Sequence, residues 1–236
     1  MAAELDIAFN RGAATLLAGA GRYSVLGDTG ALAGTSVYNT NFPLTENPIS
    51  ESGAWIAGTI SPPRTNVQSD GVHAFATMVS FDGTNFNDSV AILNGTWPAN
   101  QWVQGTVYNQ SALSGQECEL VLHGTMTALT NTGLEIDCVL VTGHIDLVAW
   151  LGPPNSFSTL ASATGITFND GDVIYAQIVG TVVTIKKNGA TVLTHDTAGD
   201  SLPFSSGAPG QGHWNQTGSA ANCTKLGWKN WQAGAL

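Results

Sequence analysis

Basic residues are scarce in this 236-residue chain: seven Lys and Arg stand against 17 Asp and Glu, a formal net charge of -10. Holding a phosphate backbone takes a concentrated cationic surface, so this balance argues against nucleic acid as a partner. Charge of either sign is thin, at 10% of residues, so solubility rests on Thr, Asn, Ser and Gly. Few Lys and Glu leave little material for surface helices. No apolar run approaches the roughly 18 to 20 residues that cross a bilayer as a helix, so no membrane insertion is expected. The N-terminal stretch MAAELDIAFNRGAATLLAGAG carries no secretory signal pattern, because Asp6, Asn10 and Arg11 break its apolar centre. Cysteine is limited to Cys118, Cys138 and Cys223. Three is not the even count of a disulfide framework, and no CxxC or Cys/His spacing suits zinc. Buried thiols acting as small hydrophobes are expected, with a Cys118 to Cys138 bridge between neighbouring strands as the alternative.

What is abundant is the chemistry of strands and turns. The run GDVIYAQIVGTVVTIKKNGATVLTHD, from Gly171 to Asp196, alternates with a period of two and is broken at Gly180 and at Asn188-Gly189. An Asn-Gly pair between alternating runs marks a hairpin, because both residues tolerate positive φ. Similar punctuation recurs from Asn41 onward, at Ser52-Gly53, Asp70-Gly71, Asn94-Gly95, Ser114-Gly115 and Asp170-Gly171. Many short strands separated by turns predict an all-β, two-sheet antiparallel sandwich and argue against alternating β and α units. Residues 1–40 differ: Ala, Gly and Leu dominate and Pro is absent. They are expected to form an N-terminal arm, either an anchoring segment or an extra strand of the same core, with the sandwich spanning 41–236.

The ordered series ENPISESGAW (46–55), NDSVAILNGTW (87–97), GLEIDCVL (133–140), IDLVAWLGPPNSFSTL (145–160) and the Gly171 hairpin run resembles a concanavalin A-like (laminin G-like) jelly-roll domain. It is similar in particular to bacterial and phage modules of that fold. Where such modules often carry Trp-Asn-Gly, this chain has Trp150-Leu151-Gly152. The resemblance implies two packed antiparallel sheets, with a curved sheet whose concave face binds or cleaves glycans in many relatives. Fold alone does not carry function, so the site has to come from residues.

Alternation puts Glu135 and Asp137 on one face of their strand, Glu117 and Glu119 on one face of another, and Asp146, Val148 and Trp150 on a third. If these strands are neighbours, the carboxylates, His123 and Trp150 converge. Glu135-Ile136-Asp137-Cys138-Val139 resembles the Glu-x-Asp-x-Glu catalytic strand of laminarinase-type hydrolases, but the position of the acid/base glutamate is Val139, which transfers no proton. The enzymatic candidates are therefore Glu135, Asp137 and His123, for a glycoside hydrolase or a polysaccharide lyase. For binding, Trp150 just before the Gly152-Pro153-Pro154 turn and Trp214 in the Gly-rich segment 207–218 are the candidates for exposed indoles that stack on sugar rings while Glu135, Asp137 and His123 supply polar contacts, the alternative being that both indoles fill the core. Trp55, Trp228 and Trp231 are expected in the core. The segment from Asp82 to Asp88 offers Asp82, Asn87 and Asp88 as oxygen ligands for Ca2+, although Asp-Gly and Asn-Asp serve any hairpin loop equally well.

Three functions stay open: a non-enzymatic module binding a glycan or cell-surface polysaccharide, placed on a phage virion surface by an arm docking on capsid or tail proteins; a polysaccharide-active enzyme; and a structural particle protein without ligand.

Overall fold

The computed structural model describes residues 37–80, 87–152 and 156–236. Their strands run β1 (Val37–Thr40), β2 (Thr45–Glu46), β3 (Trp55–Ala57), β4 (Thr65–Asp70), β5 (Ala74–Ala76), β6 (Ser89–Leu93), β7 (Gln101–Asn109), β8 (Gln116–Thr127), β9 (Thr130–Val139), β10 (His144–Gly152), β11 (Phe157–Thr164), β12 (Val173–Val179), β13 (Val182–Lys187), β14 (Ala190–Asp196), β15 (Ala208–Asn215) and β16 (Leu226–Ala235). Among the described residues α-helix is limited to one turn, α1 (Ala220–Cys223).

The hairpin run forms as its spelling predicts. β12 pairs antiparallel with β13, and β13 with β14. Asn188 and Gly189 turn between the last two with φ of 49° and 82°. These are the paired positive values that match the twist of a two-residue hairpin.

Two sheets follow. A front sheet has the order β11-β10-β9-β8-β15-β6, and a back sheet the order β5-β16-β7-β12-β13-β14. β4 joins them, pairing parallel with β6 and antiparallel with β5. At the other end of this path β11 and β14 lie beside each other. The inward residues of the front sheet, among them Leu120, Leu134, Ile136 and Leu147, pack in one core with Val103, Ile174, Ile185 and Trp228 of the back sheet. Trp228 ties the layers together. Its ring covers Gly105, where a Cβ would lie 2.5 Å from ring carbon Cε3, and its Nε1 donates to the backbone oxygen of Glu119 at 2.8 Å. Trp55 and Trp231 fill the core with Tyr38, as expected for the two tryptophans, with the two indoles 4.9 Å apart.

Residues 37–40 form β1, which pairs with β16, so this part of the N-terminal segment follows the extra-strand alternative; the rest of that segment, 1–36, lies outside the described residues. All three cysteines are buried free thiols. Cys118 and Cys138 face each other across β8 and β9 on the core side, so the neighbouring-strand placement is correct and the bridge is not formed.

Candidate functional site

The outward face of the front sheet takes every second residue of β8, β9 and β10, and hydrogen-bond register decides which of them meet. Glu119 stands opposite Asp137, and Asp137 opposite Asp146, so one cross-strand row carries three carboxyl groups. In the next row Glu135 lies between Val121 and Val148. Glu117 pairs with Trp214 on one side and Val139 on the other. Cβ atoms of directly opposed residues sit about 4.5–5.5 Å apart, which brings these groups around one cavity of about 270 Å³ with Trp150, Phe157, Thr159 and Asp88.

Among the described residues one cation, Arg64, backs this wall against Trp150. The Arg64 guanidinium is buried, forms an ion pair with Asp88, and lies 3.7 Å from the centroid of the Trp150 ring. With the Asn131 amide oxygen turned toward it, that oxygen accepts from Nη2 at 2.9 Å and from Nε at 3.0 Å. Trp150 Nε1 in turn donates to Glu135 Oε2 at 2.8 Å, and Phe157 tilts against the same indole at 5.1 Å. Arg64, Trp150 and Glu135 thus form one fixed chain across β10 and β9.

The carboxyl groups crowd one another out of water. Burial, reinforced by the neighbouring carboxylates, pushes Glu119 and Asp137 well above the usual carboxylate range. Burial raises Glu135 too, opposed by the Arg64 charge and the Trp150 hydrogen bond. Glu117 is pushed up to about 7, chiefly by burial and then by Glu135. Acid groups held near neutrality by desolvation and like charge are poised to exchange protons. Two of their oxygens, Glu119 Oε2 and Asp137 Oδ1, are buried without an N–H or hydroxyl donor among the described residues, while the side chains meet the neighbouring carboxyls of Glu135 and Glu117. Gly212 makes room for the first of these, since a Cβ there would fall 2.0 Å from it.

Glu135, Asp137, Trp150 and Trp214 are therefore brought together, with Glu117, Glu119 and Asp146 beside them. The two indoles are not exposed loop platforms. Trp150 lies within β10 at 7% exposure and Trp214 within β15 at 8%. The segment that carries Trp214 is a strand between β8 and β6, its glycines allowing close approach: a Cβ on Gly210 would lie 2.6 Å from the Ala91 carbonyl oxygen. His123 stands apart. A register shift in β8 between Leu122 and Thr125, with His123 at φ 56°, turns its ring away, and Nε2 lies 2.7 Å from the Ala99 backbone oxygen. It lines a second cavity of about 290 Å³ with Phe204 and Thr197. Of the calcium candidates, Asp82 lies outside the described residues. Asp88 is taken by Arg64, and the Asn87 amide donates to the Ser80 oxygen at 3.2 Å.

Sequence reading missed Arg64. Its signal was scarcity, for it is the one arginine between residues 41 and 236. Also missed was the consequence of register at Val139: the carboxyl group absent there stands directly across the ladder, at Glu117.

No family model matches the chain, and no curated protein matches it. Solved structures do. A protein of unknown function with a galectin-like fold from Bacillus subtilis is similar at 10% identity and a TM-score of 0.56, over 84% of this chain and 96% of that one. A β-1,3-1,4-glucanase (lichenase) derived from a mouse hindgut metagenome matches at 10% identity and TM-score 0.53, over 84% and 98%. A Bacillus licheniformis β-glucanase matches at 13% identity and TM-score 0.50, over 88% and 96%. Identities this low establish the fold alone, and that fold is the concanavalin A-like jelly roll that the sequence resembles.

Proposed function

We propose that this concanavalin A-like jelly roll is a non-enzymatic glycan-binding module whose ligand enters the cavity on the outer face of the front sheet. The observation that carries this reading is the cavity itself: about 270 Å³, walled by Trp150, Phe157 and Trp214 and floored by carboxyl groups. Small-molecule sites combine apolar walls with a few placed polar groups, and this cavity lies just below their usual size range of about 300–1,000 Å³, room for a single sugar ring. Carboxyl oxygens accept from sugar hydroxyls, and protonated ones also donate. The rigid link from Arg64 through Trp150 to Glu135 holds the acceptor in place before ligand arrives, which lowers the ordering cost of binding. Binding of the purified chain to a broad glycan array tests the reading, with Trp214→Ala and Glu135→Gln as controls. Selective binding lost in both variants supports it, and silence across the array removes it.

One observation favours a second reading, a glycoside hydrolase. Glu117, held near 7 and lying across from Val139, is placed to act as acid/base while Glu135 acts as the second carboxylate. Cleavage of neutral β-glucans that disappears in Glu117→Gln would establish this reading, and intact substrates after long incubation would exclude it for those glycans. Placement on a phage particle, with residues 1–36 docking on capsid or tail proteins, is a further part of the proposal. Its support is the sequence resemblance to phage modules, and immunogold labelling of particles tests it.

A further inference from the structure

We infer that the cavity receives a cationic sugar, the free ammonium group of an amino sugar seated among Glu117, Glu119, Glu135, Asp137 and Asp146. This deepens the glycan-binding reading and rests on it. Five carboxyl groups from β8, β9 and β10 line the cavity, with Asp88 at its edge. Among the described residues the positive charges facing them are few. Arg64 is already held by Asp88 and Asn131 and stacked on Trp150, and His144 lies at the rim with Nε2 3.4 Å from Asp146 Oδ2. No lysine lines the cavity: Lys186 and Lys187 belong to β13, and Lys225 and Lys229 lie just before and within β16, in the back sheet.

A ligand is also indicated by what is left unpaired. Glu119 is 1% exposed and lines the cavity, and its Oε2 meets no N–H or hydroxyl donor among the described residues, nor does Asp137 Oδ1; the groups these two side chains do meet are further carboxyls, Glu135 and Glu117. A buried polar atom without a partner is costly, so a donor supplied from outside has a place to act. A metal ion is less well served by the geometry. Among the described residues no group of three His, Cys, Asp or Glu is arranged to hold one. An ammonium spreads three donors over a wider ring of acceptors, and the ring attached to it meets the aromatic wall. An anionic sugar would meet like charge wherever these groups ionise, and a neutral one would gain only uncharged hydrogen bonds from them.

The protonation pattern agrees. Glu117, Glu119, Glu135 and Asp137 are all raised by burial, and like charge adds to the rise of Glu117, Glu119 and Asp137. A cation arriving among them favours their ionised forms, so binding expels protons.

The test is titration calorimetry of the full chain at pH 7 with three probes: a glucosamine oligomer, the matching N-acetylglucosamine oligomer and a glucose oligomer. Running it in two buffers of different ionisation enthalpy counts the protons. The glucosamine oligomer is expected to bind at least about tenfold more tightly than the other two and to release protons, a ratio within reach of one charge-assisted contact. Glu119→Gln is expected to abolish that preference, with Asp137→Asn as the second variant should the first not fold. Equal binding of all three probes overturns the amino-sugar assignment while leaving glycan binding in place. An amine preference untouched by both variants also overturns it. Silence with every glycan removes both readings.

Discussion

Replacing Arg64 with Met gives a measurable account of how the acidic cavity is held together. The side chains of Arg64 and Asp88 are 3% and 5% exposed, so removing the guanidinium leaves a buried carboxylate without its counter-ion. Breaking a buried pair from one side costs about 3–5 kcal/mol. Loss of the cation over the Trp150 ring adds up to about 2 kcal/mol, which the packing of the Met side chain partly offsets. A net loss of about 3–5 kcal/mol converts to roughly 6–20 °C in melting temperature for a domain of this size. The assay is urea and thermal unfolding of Arg64→Met, Asp88→Asn and the double variant. Because the Asp88→Asn change leaves no charge to strand, the double variant should be more stable than Arg64→Met alone, a coupling that a double-mutant cycle isolates. A loss under about 1 kcal/mol in Arg64→Met, or a further drop on adding Asp88→Asn, would refute the picture of a desolvated, mutually dependent pair.

The stability contributed by the carboxyl cluster should fall as pH rises. Glu117 binds its proton up to about 7 when folded and only up to the ordinary glutamate value when unfolded. Between those values the folded state holds the extra proton, so unfolding is penalised below that window and favoured by rising pH within it. Burial holds His213 down at about 3 and lowers His73 and His123, which favours the higher pH, so the Glu117 contribution is read as the stability of the unaltered chain minus that of Glu117→Gln, a difference that should be larger at pH 5 than at pH 8. In Gly105→Ala the new methyl group meets the Trp228 ring, and overpacking of this kind costs about 1–3 kcal/mol, readable as a lower urea midpoint. Cys118, Cys138 and Cys223, being buried free thiols, should react with a thiol reagent only after unfolding, and reducing agent should leave the melting temperature unchanged.

The sandwich was legible because its signals are local. Alternation and Asn188-Gly189 state where β12, β13 and β14 run, and the same alternation puts Glu117, Glu119, Glu135, Asp137 and Asp146 on outward faces. Which of those faces adjoin is a matter of register between segments far apart in sequence, and the order β10-β9-β8-β15 brings the groups together. The misplacements share a cause. A bulge in β8 rotates His123 out of a pattern that reads as continuous, and Gly210 and Gly212, which look like loop residues, are strand positions chosen for close contact. Asp88 reads as a calcium ligand because its partner, Arg64, lies well before it in a segment with no periodic signal of its own.

The strand β4 gives the molecule a spine and a mouth. Hydrogen bonds run without a break from one layer to the other through β4, while β11 and β14, the ends of the same ribbon, lie side by side. Separating the layers along the β11 and β14 border breaks packing but no ladder, so the sandwich should breathe like a book held by its binding. Amide exchange should then be slowest in β6, β4 and the adjoining strands and become faster toward β11 and β14. The acidic cavity reaches that looser margin through Phe157 and Thr159 of β11, so its width is set by the part of the protein that opens most easily.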